Sequence, residues 1–167
     1  MMKHRLPLRR LLVIGSLAIG ATFHAAAQVP TAERFSAENA WVPWAPSTVS
    51  VHAAYMTIVN RSDEDRFVVS AESPDYERVE LHSSSVKSGV AEMRDVGQVA
   101  IPANKRVALE PGGLHLMLIG PKRALATDDR VRIVLHLQSG ERVDVLAVVR
   151  RRNTGSHSGH EHHGAPR

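Results

Sequence analysis

Apart from Met1 and Met2, the chain has three methionines: Met56, Met93 and Met117. Two of them alternate with histidines. His82, Met93, His115 and Met117 follow the pattern His-x10-Met-x21-His-x-Met. Thioether sulfur is soft and uncharged, so it selects Cu(I) over hard ions such as Mg²⁺ or Ca²⁺, and imidazole binds copper in both oxidation states. Two thioethers and two imidazoles make a neutral set suited to a monovalent ion. Zinc would instead draw on thiolate, carboxylate or three histidines. Cysteine is absent, which excludes a blue-copper electron-transfer centre, because that centre needs a cysteine thiolate. It also excludes disulfide staples. On residue types alone a second reading stays open: the four residues could be incidental to a β-sandwich interaction module that holds no metal.

The elements that must position these residues read as strands. In "PGGLHLMLIG", Pro111 to Gly120, Leu114, Leu116 and Leu118 alternate with His115 and Met117. Successive strand side chains point to opposite faces, so the leucines share a core face and His115 and Met117 share the other. In "VELHSSS", Val79 and Leu81 face the core and turn His82 outward. Met93 stands between Glu92 and Arg94 in a polar neighbourhood. Strands are expected over 38–42, 52–60, 66–72, 77–83, 90–96, 106–110, 113–120, 130–138 and 141–149. They are separated by turn signals such as "RSDED", "KSG", "PANK" and "QSG". Residues 130–149 read as a hairpin with Val131, Ile133, Leu135 and Leu137 on one face and a turn at Ser139-Gly140. No long segment has helical periodicity. The class is all-β, an antiparallel β-sandwich or Greek-key barrel.

The ends of the chain read differently from its middle. Lys3, His4, Arg5, Arg9 and Arg10 precede the apolar run "LLVIGSLAIGATF", and "AAA" ends at Ala27. That is the pattern of a secretory signal peptide over 1–27, cleaved near Ala27, and the run is short for a stable membrane span. Residues 28–37 form a polar lead-in, 38–149 the folded domain, and 150–167 a polar tail. The tail holds His157, His160, His162 and His163, a candidate auxiliary site for Cu(II). Residues 1–27 contain four basic residues and no acid, so removing them takes the formal net charge from +4 to zero. The basic balance therefore belongs to the targeting segment, and no nucleic-acid partner is expected.

The spacing, in its setting "SPDYERVELH…GVAEMR…IPANKRVALEPGGLHLMLIG" together with "AYMTIVN", resembles the PCu(A)C family of periplasmic copper chaperones. The likeness runs from about Ala40 to Val149. It implies a cupredoxin-like β-sandwich holding one Cu(I) near its surface, with His82, Met93, His115 and Met117 as ligands. It further implies a periplasmic protein that supplies copper to the CuA centre of cytochrome c oxidase subunit II, alongside Sco-type thiol proteins. A copper buffer or scavenger without a dedicated recipient would use the same ligands. Many relatives are richer in methionine around the first histidine, where this chain has "SSSVKSGVAEM".

The remaining candidates read as structural. Met56 belongs to the sandwich, His52 to a strand end and His136 to a surface. Trp41 and Trp44 are expected to pack at a core or edge. "RSDED" lacks the spacing of a calcium loop. No nucleophile elbow, phosphate-cradling loop or H-E-x-x-H is present, so no enzyme is expected.

Overall fold

The computed structural model describes residues 34–151. The expected signal peptide over 1–27 and the tail histidines His157, His160, His162 and His163 lie outside the described residues. Ten strands follow one another: β1 Phe35–Pro43, β2 Val51–Asn60, β3 Arg66–Glu72, β4 Tyr76–Lys87, β5 Val90–Asp95, β6 Val99–Ile101, β7 Arg106–Leu109, β8 Leu114–Pro121, β9 Arg130–Leu137 and β10 Arg142–Arg150. No helix among the described residues is long and apolar enough to cross a membrane. The expected all-β class is what the described residues adopt.

The strand path runs β5-β4-β8-β2-β1-β10-β9-β3-β6, with β7 alongside β2. Every pairing is antiparallel except β1 with β10. β2 changes neighbours along its length. Residues 51–54 pair with β8, and residues 56–59 pair with β7. The apolar residues of both layers meet in one cluster. Leu116, Leu118, Ile133 and Leu135 are fully buried in it, with Tyr76 and Phe35 among its largest side chains. Val131, Ile133, Leu135 and Leu137 all face inward, as the hairpin pattern requires. Met56 is buried too.

Several boundaries differ from the sequence reading, β4 most of all, since it runs on to Lys87, and one strand is new. β1 begins at Phe35, inside the stretch taken as lead-in, because Phe35 is a buried anchor and its backbone pairs with Asn60. β10 runs through Arg150, one residue into the expected tail, where Arg150 pairs with Pro43. β6 was not expected. It is three residues long, ends before Pro102, and is held by pairing with β3. Such a piece is too short to show alternation.

Candidate metal site

β8 is the central beam of the site. It pairs with β4 on one side and β2 on the other, so its register fixes what lies beside each of its residues. Leu116 sits opposite Leu81 and Ala54, and Leu118 opposite Val79 and His52. Those pairs face the core. The intervening positions face the other way. His115 is opposite His82, and Met117 lies between Glu80 of β4 and Ala53 of β2.

β5 extends the same face. Its hairpin with β4 turns at Ser88 and Gly89, with φ of 51° and 82°. Left-handed backbone at both central residues is what a two-residue turn demands if it is to match strand twist. The turn sets Lys87 opposite Val90, and by alternation it sets Ser84 opposite Met93 and His82 opposite Asp95. His82, Met93, His115 and Met117 therefore share one face of three neighbouring strands.

Met93, His115 and Met117 line a cleft of about 210 Å³ together with Ala53, Tyr55 and Ser84. His82 is not among the lining residues but is paired with His115, with ring centroids 5.9 Å apart. His115 is only 6% exposed, whereas Met93 is 54% exposed. A row of rings crosses the sheet here. Trp41 lies 5.0 Å from Tyr55, and Tyr55 lies 6.4 Å from His115. Trp41 thus packs against the flank of the site, while Trp44 packs under the Arg151 guanidinium.

Each histidine has one nitrogen tied to a protein acceptor. His115 Nδ1 donates to the Gly113 carbonyl at 3.1 Å, which leaves Nε2 with the lone pair. His82 Nε2 lies 3.0 Å from Glu80 Oε2. Its Nδ1 is buried and has no protein partner. A buried polar atom left unpaired is costly, and its presence in a folded protein calls for an explanation such as a ligand. Metal-binding histidines show this division of labour, one nitrogen held by an outer acceptor and the other free to coordinate. The donors therefore fit a soft ion: two neutral imidazoles and two thioethers on one face, bordered by a shallow cleft.

Two acids that the sequence reading passed over also border His82. Glu80, His82 and Asp95 bring ligand atoms within 4.8 Å of one another. Glu80 is also bonded to Arg78, Nε to Oε1 at 2.6 Å. The Arg78 guanidinium, and to a lesser degree His82, holds the Glu80 carboxyl below the usual carboxylate range. The signal for Glu80 was legible. In "VELH" it stands two residues before His82 and so shares its face. Asp95 required the register of the β4–β5 hairpin.

The other histidines are held by other partners, although His52 also borders the cleft. His52 faces the core and bonds Tyr76, Nδ1 to hydroxyl at 2.7 Å. His136 lies at the surface beside Glu72, at 3.2 Å. Asn60 is buried and donates to the carbonyls of Glu64 and Ile101, a structural knot at the end of β2.

Residues 35–149 match the sequence profile of the LpqE-like family. A "Putative lipoprotein" of Leifsonia xyli subsp. xyli is 28% identical over 142 residues, covering 83% of this chain and 84% of that one. Among solved structures, CuI-DR1885 from Deinococcus radiodurans is 30% identical with a TM-score of 0.60, covering 76% of this chain and 90% of that one. The copper-bound PCuAC domain from PmoF2 superposes with a TM-score of 0.60 at 19% identity, covering 71% and 93%. That last likeness is one of fold.

Proposed function

The protein belongs to the LpqE-like family, and from that premise we propose that it is an exported, periplasmic copper chaperone. It carries one Cu(I) on His82, Met93, His115 and Met117. The observation that carries this reading is the register across β5, β4 and β8, which puts four soft or borderline donors on one face beside one cleft. The similar protein CuI-DR1885 from Deinococcus radiodurans supports the cargo. Export rests on the N-terminal pattern of the sequence and on lipoprotein naming among the relatives.

The mechanism is ligand exchange. His115 and Met117 come from a strand paired on both sides, so they are fixed points. Met93 comes from the edge strand, where all six residues are exposed, and it is the donor that an approaching acceptor displaces first. The recipient is the CuA centre of cytochrome c oxidase subunit II, with Sco-type thiol proteins as co-workers. A two-cysteine acceptor holds Cu(I) more tightly than this neutral set, because thiolate adds charge and softness. The tail histidines His157, His160, His162 and His163 supply a separate site that prefers Cu(II). No catalytic step is required of any of these residues.

The test is to mix Cu(I)-loaded protein with a reduced apo CuA domain and follow metal transfer, with a small chelator of matched affinity as control. Faster transfer to the domain is the expected result. Equal rates to both acceptors would leave a copper buffer. Absence of Cu(I) binding would leave the interaction module and end the copper reading.

A further inference from the structure

The two candidate imidazoles are held by different partners. His115 leans on a neutral backbone carbonyl. His82 leans on a carboxylate that is itself held by an arginine. Arg78, Glu80 and His82 alternate along β4, so all three project to the same face. Arg78 Nε donates to Glu80 Oε1 at 2.6 Å, and Glu80 Oε2 lies 3.0 Å from His82 Nε2. The ionised carboxylate can only accept, so the shared proton sits on Nε2. The lone pair then belongs to Nδ1, the buried atom without a protein partner.

We infer that Glu80, clamped by Arg78, is a positioning residue that fixes His82 in the tautomer presenting Nδ1 to copper. The inference rests on the copper reading above and deepens it. It makes the two histidines chemically distinct. His115 coordinates through Nε2, and His82 through Nδ1. A carboxylate behind an imidazole also raises its basicity as a ligand, so His82 becomes the stronger nitrogen donor of the pair. During ligand exchange, after Met93 has been displaced, His82 is the last nitrogen to let go. Asp95, directly across from His82, shares its surroundings but has no bond to the ring.

An alternative role for the same contact has the opposite consequence. If the Glu80 bond holds His82 away from the metal, removing Glu80 frees a ligand and tightens copper binding. A positioning role requires binding to weaken.

The test uses ¹⁵N-labelled protein at pH 8. The metal-free wild type should show His82 protonated at Nε2 only, and addition of Cu(I) should move its Nδ1 resonance. Glu80→Gln retains an acceptor and should keep that tautomer. Glu80→Ala should give a tautomer mixture. Outer acceptors of this kind are worth about 10–100-fold in metal affinity, so Glu80→Ala should weaken Cu(I) binding by about that factor, with Glu80→Gln in between. Thermal unfolding of the apo-variants separates this loss from a loss of fold. A wild-type His82 protonated at Nδ1, movement of Nε2 on loading, or unchanged or tighter binding in Glu80→Ala would each overturn the inference. Failure of the wild type to bind Cu(I) while showing the Nε2 tautomer would instead strike the copper reading and leave the Glu80–His82 geometry standing.

Discussion

The two faces of the β4-β8-β2 layer are built from the same strands and hydrogen bonds, and they do opposite things. On one face Leu81, Leu116, Leu118 and the His52–Tyr76 pair close the core. On the other, His82, His115 and Met117 stand beside a cleft, with Met93 carried in from β5. Beyond Tyr76, which enters the core from the first position of β4, neighbouring residues are divided by parity. Leu116 and Met117 differ by one position in sequence and by the whole thickness of the sheet in role. One strand thereby serves core and site at once: the leucines hold β8 in the layer, and the positions between them are left for ligands.

Changes on the core face should act on stability and leave copper chemistry intact. Leu116→Ala removes a fully buried side chain from the cluster. Large-to-small changes of this kind cost about 2–5 kcal/mol. Denaturant unfolding of the apo-protein should show that loss, while the fraction still folded binds one Cu(I). Loss of copper stoichiometry in the folded fraction would show that the two faces are not separable.

Met117→Leu should do the reverse. Leucine roughly conserves volume, so stability should change by less than about 1.5 kcal/mol. Removing the sulfur from a fixed strand should weaken Cu(I) binding by about 10–100-fold, which is about 1.4–2.7 kcal/mol. A competition titration against a Cu(I) chelator reads it. Unchanged affinity would remove Met117 from the ligand set.

Met93→Leu sharpens the contrast within the site face. Met93 is 54% exposed on the edge strand, and Met117 lies on a strand paired on both sides. The expected loss is smaller, about tenfold or about 1.4 kcal/mol, and it should appear mainly as faster release in stopped-flow transfer. A loss equal to that of Met117→Leu would erase the distinction between fixed and displaceable donors.

Much of this was legible in the chain, because a period of two is enough to assign faces. The leucines of "GLHLML" and their partners in "VELH" declare which way His82, His115 and Met117 point. Even Met93 follows from the "KSG" turn once it is closed as a two-residue hairpin. What parity cannot deliver is which strands meet. The handover of β2 from β8 to β7, and the pairing of short β6 with β3, are set by packing between residues far apart in sequence. The same limit hid Asp95, and it left His52 looking like an ordinary strand end when it is bonded inside the core.

His52 supplies the last and smallest effect, and it sets one histidine against another. It stands opposite Leu118 on the core face, with its ring edge-on to Tyr76. Its Nδ1 bonds the Tyr76 hydroxyl, and its Nε2 is buried without a partner. Charging the ring would place a cation among buried side chains, away from water. Burial accordingly pulls the His52 pKa below its ordinary value near 6.5, against a smaller opposing contribution from the Val49 backbone. Burial, with the charge of Asp75, pushes the Tyr76 hydroxyl up, so it stays protonated across this range. Well above pH 6.5 the ring is neutral in both folded and unfolded chains and adds no slope. Below it, the unfolded chain takes up a proton that the folded protein resists, so stability falls with pH until the lowered folded value is passed. His52→Gln keeps a polar side chain but does not titrate. Unfolding free energies measured from pH 8 to 5 should fall more steeply for the wild type than for His52→Gln, and only in the acid part of that window. The two proteins should bind Cu(I) alike at pH 8. Parallel curves would show that His52 is free to charge in the folded state, and a copper defect in His52→Gln would show that it serves the other face.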